Sequence, residues 1–110
     1  MSPGFLDFLK DQLSGVGPVS VRRMFGGAGI YRDGVMFALV ADETLYLKVD
    51  GLTVADFEAE NLGPFVYGTG KGPNTIHSYR RAPERCLDDP QIMAEWAETA
   101  VKAAFRQRGK

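Results

Sequence analysis

Residues 30–40 read Ile30-Tyr31-Arg32-Asp33-Gly34-Val35-Met36-Phe37-Ala38-Leu39-Val40. Asp33 and Gly34 both tolerate positive φ, and set between two apolar runs they are the strongest hairpin signal in the chain. The run from Val35 to Val40 is apolar at every position, as in a strand covered on both faces. Working outward, Val19, Val21, Met24 and Phe25 lead into Gly26-Gly27-Ala28-Gly29-Ile30-Tyr31, which reads as one strand with bulges. Ala41-Asp42-Glu43-Thr44 supplies the next turn. Leu45, Leu47 and Val49 then face one way and Tyr46 and Lys48 the other. A three-stranded antiparallel meander is expected here.

Around it, Phe5, Leu6, Phe8, Leu9 and Leu13 recur at helical spacing between Pro3 and Gly15 and predict a first helix over about residues 3 to 14. Thr53 and Asp56 resemble a capping pair opening a short helix that carries Val54 and Phe57, closed by Asn61 and Gly63. Phe65–Tyr67 and 75–81 read as two more strands, joined by a mobile, glycine-rich connection over 68–74. Asp89 can cap a last helix with Pro90 in its first turn, and Ile92, Trp96, Ala100, Ala103 and Ala104, widened by Val101 and Phe105, form its apolar stripe. The order α-β-β-β-α-β-β-α has no parallel alternation and predicts a single α+β domain over residues 1–110, with an antiparallel sheet clamped by the last helix.

Composition narrows the function. The chain has 110 residues, 45% of them hydrophobic, and 13 basic against 14 acidic groups for a formal net charge of −1. No global field draws it to a polyanion, so a nucleic-acid contact would need a local patch. One cysteine, Cys86, excludes an internal disulfide, and His77 alone leaves too few soft ligands for zinc. Neither a metal nor a cofactor is expected. The N-terminus lacks the blocks of a signal peptide and no run approaches a membrane span, so the expected setting is cytoplasmic.

No catalytic constellation assembles from these residues. His77 lies within a predicted strand with no base or orienting partner in evident register, and cross-strand packing is its plainer role. Cys86 follows Arg85, a cation that would lower its thiol pKa, but free cysteines are commonly buried. Gly26-Gly27-Ala28-Gly29 has the wrong spacing for a phosphate loop and precedes a strand, so close backbone packing explains it better. Gly68-Thr69-Gly70-Lys71-Gly72 has the composition of an anion nest, with a solvated hairpin as the plainer account. Arg22-Arg23 and Arg80-Arg81 sit at strand ends where a twisted sheet can bring them into one positive patch. Alternation lets only one arginine of each pair serve a given face, and salt bridges to Asp7, Asp11, Asp88 or Asp89 would consume them.

Arg22-Arg23-Met24-Phe25-Gly26-Gly27-Ala28-Gly29-Ile30-Tyr31, followed by Asp33-Gly34-Val35-Met36-Phe37-Ala38-Leu39 and Leu45-Tyr46-Leu47-Lys48, resembles the TfoX N-terminal domain family. The likeness extends through Phe65, Tyr67, Ser78-Tyr79, Pro83 and the Trp96-to-Ala104 part of the last helix. It implies an α+β fold similar to the secretion-chaperone-like arrangement and a motif, Arg23, Met24, Phe25, Gly26, Gly27, Gly29 and Tyr31, to which no catalytic residues are attached. In that motif the glycines would admit close backbone approach, with Met24 and Phe25 filling the core.

The family takes its name from regulators of natural competence that typically carry a second, helical domain, and the present chain is expected to be the first domain alone. The functional expectation is a non-enzymatic regulatory or adaptor domain, acting in competence or transcription through protein contacts, with a second copy of itself as one candidate partner. The alternative is a nucleic-acid-binding module using Arg22, Arg23, Lys48, Arg80 and Arg81, with Tyr46 and Tyr79 as stacking platforms. A third reading is a small-molecule site in the cleft between sheet and last helix, where Lys48, Tyr79 and His77 would meet.

Overall fold

The computed structural model describes residues 3–24, 26–69 and 72–109, with the side chains of Pro3 and Thr69 outside that description. Helix α1 (Pro3–Gln12) is followed by a 3₁₀ turn (Ser14–Val16), then strands β1 (Ser20–Met24), β2 (Gly27–Arg32), β3 (Val35–Ala41) and β4 (Thr44–Lys48). Helix α2 (Val54–Glu58), strands β5 (Pro64–Thr69) and β6 (Gly72–Arg81), a short helix α3 (Arg85–Asp88) and the long α4 (Pro90–Arg108) complete the chain. The strands form one antiparallel sheet in the order β1-β2-β3-β4-β6-β5. The α+β architecture is as expected.

The Asp33-Gly34 turn forms as read, with φ of 51° and 81° at its two central residues. A second reversal was hidden in the glycine run. Met24 pairs with Gly27, and Gly26 takes a φ of 76°, so the expected single bulged strand is two strands of a hairpin, β1 and β2. A side chain at Gly26 would have to enter the left-handed region, which Gly alone enters freely. The meander therefore has four strands. A bulge falls between β2 and β3 at Ile30/Tyr31, opposite Phe37. It turns Phe37 and Ala38 together into the core and sends Met36 to the opposite face.

The core lies on one side of the sheet. Ala28, Ile30, Ala38, Val40, Leu45 and Leu47 of the sheet meet Leu9 and Leu13 near the N-terminus, Phe57 of α2, Cys86 of α3 and Met93, Ala97 and Val101 of α4 in one buried cluster. Along α4, Ala100, Val101, Ala103 and Ala104 are buried as expected, but Met93 and Ala97 join them, whereas Ile92 and Trp96 lie at the margin and Phe105 is exposed. Trp96 is spent on the flank of the helix layer, edge-on to Phe57 at 5.0 Å and beneath the Arg85 guanidinium at 5.4 Å.

Asp89 caps α4 as read, accepting from the Gln91 N–H at 2.8 Å. The Thr53–Asp56 capping pair does not form. The Thr53 hydroxyl accepts instead from the Asp50 N–H at 3.0 Å, and Asp50 grips Arg106 of α4 at 2.7 Å, which holds its carboxyl down at about 2.

The β5–β6 connection is shorter than expected. Pairing continues out to Gly68 with Pro73 and Thr69 with Gly72, so most of 68–74 is strand, and Gly70 and Lys71, central to the anion-nest reading, lie outside the described residues. At the base of this hairpin the register breaks: Pro64 pairs with Arg80, but Phe65 pairs with Ile76. Within that gap Tyr79 pairs with Lys48, the last residue of β4, and the Ser78 carbonyl accepts from the N–H of Val49, the residue after it, at 2.9 Å. The outer part of the β5–β6 hairpin is thus released from the sheet plane.

Candidate functional site

Among the described residues no helix packs on the second face of the sheet. Arg22 and Met24 of β1, Gly27, Gly29 and Tyr31 of β2, Leu39 of β3, Tyr46 and Lys48 of β4 and Tyr79 and Arg81 of β6 share it by register. The released hairpin leans over this face. Met24, Met36, Leu39, Phe65, Tyr67 and Ile76 line a groove of about 560 Å³, with Gly27 in its floor and Tyr79 in its wall.

The family glycines shape this groove. A Cβ on Gly27 would collide with the carbonyl oxygen of Val40. A Cβ on Gly29 would come within 2.7 Å of Met36 Sδ and 2.9 Å of Met24 Cε. Gly27 thus lets two strands approach, and Gly29 seats the two methionine tips. The expectation that Met24 fills the core is corrected: it is half-buried and lies in the groove, outside the core cluster. Phe25 lies outside the described residues.

The walls are aromatic. Phe65 meets Tyr46 edge-on at 5.0 Å and stacks on Tyr67 at 5.7 Å. Tyr79 is 7% exposed, and burial pushes its phenol up to about 12, so it is a neutral hydroxyl whose O–H points to the Met36 carbonyl at 3.5 Å. The Lys48 ammonium lies 5.0 Å from the centre of the Tyr79 ring. Lys48 is 9% exposed and burial lowers its pKa, with Asp50 opposing the shift from a distance. Among the described residues no carboxylate lies within ion-pair distance of it.

The two arginine pairs do not converge. β1 and β6 are four strand spacings apart, about 19 Å at ~4.8 Å each. Each pair is also split between faces: Arg22 and Arg81 on the open face, Arg23 and Arg80 on the helix side. Arg22 lies 5.8 Å over the Tyr31 ring. Arg80 is structural: its guanidinium donates to the Leu62 carbonyl at 3.2 Å and reaches Glu58 at 3.5 Å, tying β6 to α2. The acidic partner is Glu58, not one of the four aspartates considered from sequence. Lys48 and Tyr79 do meet, but on the face away from α4, so the expected cleft between sheet and last helix is misplaced. His77 is exposed on β6 and takes no part in the groove. Phe65, Tyr67 and Ile76 were missed as site residues, because their place depends on the register break.

Charge is segregated in a way the net value conceals. None of the fourteen carboxylates lies in a strand, whereas the strands carry Arg22, Arg23, Arg32, Lys48, Arg80 and Arg81. Turns and helices hold all the anions. The open face therefore presents cations and apolar side chains with no carboxylate of its own.

These features define an α+β domain with a one-sided core and an apolar, cation-flanked groove on the exposed face of its sheet. The sequence profile of the TfoX N-terminal domain matches residues 11–104, and the chain belongs to that family. It is 39% identical over 54 residues to the DNA transformation protein TfoX1 of Aliivibrio fischeri; the matched part is 49% of this chain and 24% of that protein. Among the described residues no helix is long and apolar enough to cross a membrane.

Proposed function

We propose that this chain is a non-enzymatic regulatory adaptor domain that works by docking a protein segment in the groove of its open sheet face, in the cytoplasm. The observation that carries this reading is the groove itself: apolar and aromatic walls, floored by the family glycines Gly27 and Gly29. Exposed apolar concavities of this size mark binding surfaces. The name of the relative, a DNA transformation protein, supports a role in competence.

A nucleic-acid role is less well served. Of the five candidate cations, Arg80 is engaged at α2, Lys48 is buried, Arg23 faces the other way, and only Arg22 and Arg81 remain exposed on this face. Two phosphate contacts give a weak, shallowly salt-dependent attachment. Self-pairing through the same face would bring two sets of cations together.

A photo-crosslinking residue placed at Tyr67, which is 42% exposed on the groove wall, tests the proposal in living cells. Expected is a covalent adduct to a protein from position 67 and none from position 99 on α4. Adducts to nucleic acid, or equal yields from both positions, would defeat it.

A further inference from the structure

Lys48 is the unexplained group. Covering most of a lysine weakens the hydration of its charge, and charges so placed are ordinarily paired. Here most of the Lys48 side chain is covered, its ammonium lies 5.0 Å from the centre of the Tyr79 ring with no carboxylate in ion-pair distance among the described residues, and every acid of the chain lies outside the strands. Arg22 and Arg81 belong to the same face.

We infer that the occupant of the groove is an acidic, amphipathic peptide segment of a partner protein, bulky apolar side chains seated between Met24, Met36, Leu39, Phe65 and Ile76 and carboxylates turned to Lys48, Arg22 and Arg81. This rests on the docking role proposed above and names the chemistry of what docks. The volume, about 560 Å³, lies in the range of about 300–1,000 Å³ that holds compact ligands, enough for a pair of large side chains. The apolar walls supply affinity without preference for charge; the cations supply the preference, since a basic segment would meet three like charges on a face whose strands carry no carboxylate. A second copy presents the same cations and is disfavoured on the same ground. A polynucleotide needs more exposed cations than this face offers.

The test is selection from a display library of random twelve-residue peptides on the immobilised chain, repeated on Arg81→Glu and on Ile76→Trp, which fills the groove. Circular dichroism checks both variants, and Arg81 is exposed, so its reversal leaves packing untouched. Expected is enrichment of sequences combining Asp or Glu with Phe, Trp or Leu on the parent chain, loss of that enrichment on Ile76→Trp, and at least a five-fold weaker affinity of the selected peptides for Arg81→Glu. Groove-dependent enrichment of neutral or basic apolar peptides would overturn the acidic assignment and leave docking standing. Enrichment that Ile76→Trp does not change, no enrichment at all, or tighter binding of a labelled oligothymidine than of every selected peptide, would overturn both.

Discussion

Cys86 has two opposing influences on its thiol. Arg85 is its neighbour in sequence, but the guanidinium is turned away, bidentate to Glu60 at 2.7 and 2.6 Å. Burial wins and pushes the thiol up to about 11 from an ordinary 9.0. The site is also closed by Gln12, whose side-chain amide donates to the Cys86 carbonyl at 3.0 Å and fixes α1 to α3. A buried neutral thiol reacts only when the fold opens. Iodoacetamide at mild alkalinity should therefore alkylate the native chain at least about a hundred-fold more slowly than the urea-unfolded chain, followed by mass spectrometry. Alkylation of both at one rate would place the thiol at the surface.

The same shift predicts a pH slope. The folded state holds the proton where the unfolded state has lost it, so this stability is present below pH 9 and drains away as pH rises towards 11. Urea midpoints across that window should fall, and Cys86→Ala should flatten the fall. Tyr79, shifted in the same direction, adds a fall at higher pH, and Lys48, whose pKa burial lowers, opposes it.

At the scale of elements, β2 tests why the motif is glycine-rich. Gly27 faces main chain, the Val40 carbonyl, which cannot move without breaking the β2–β3 ladder. Gly29 faces the ends of two flexible methionines, which can move. Gly27→Ala should cost about 2–4 kcal/mol in urea denaturation, and Gly29→Ala less than about 1.5 kcal/mol while narrowing the groove. Equal costs would mean that the glycines serve only backbone conformation. Neither environment is visible from Gly26-Gly27-Ala28-Gly29 alone.

What was readable from the residues was what local chemistry decides: the Asp33-Gly34 turn, the alternation of Leu45, Leu47 and Val49 against Tyr46 and Lys48, and the Asp89-Pro90 helix start. The turn before Gly27 was missed because Met24 to Ile30 holds no polar side chain, leaving only the glycines as punctuation. Only the first turns of the α4 stripe were misjudged: Ile92 and Trp96 share helical spacing with Ala100, yet Met93 and Ala97, one position on, share it with Val101, and these are the pair turned to the core. The candidate site was half legible. Lys48 and Tyr79 came from type and parity, whereas Phe65, Tyr67 and Ile76 joined them only through a register break set by tertiary pairing.

For the whole molecule, the decisive quantity is where the charges lie, since a net of −1 describes a chain whose anions occupy turns and helices and whose strands hold only cations. Two routes to self-association follow from the fold, and each meets an obstacle. Face-to-face pairing would set Arg22, Lys48 and Arg81 against their own copies, a repulsion that weakens as salt shortens the screening length from about 14 Å to about 4 Å between roughly 0.05 and 0.5 M. Edge-to-edge pairing would use β1, whose adjacent Arg22 and Arg23 are both exposed, or β5, which opens on Pro64, and charged or proline-bearing edges resist such addition. Sedimentation velocity should therefore give a single 12.1 kDa species throughout that range of salt. A dimer at low salt would mean that acidic helices of one copy meet the cationic face of another, and Arg81→Glu would dissolve it. A dimer indifferent to both salt and Arg81→Glu would place the contact on an edge and leave the open face free, so that the repulsion assigned to its cations would no longer decide how many copies associate.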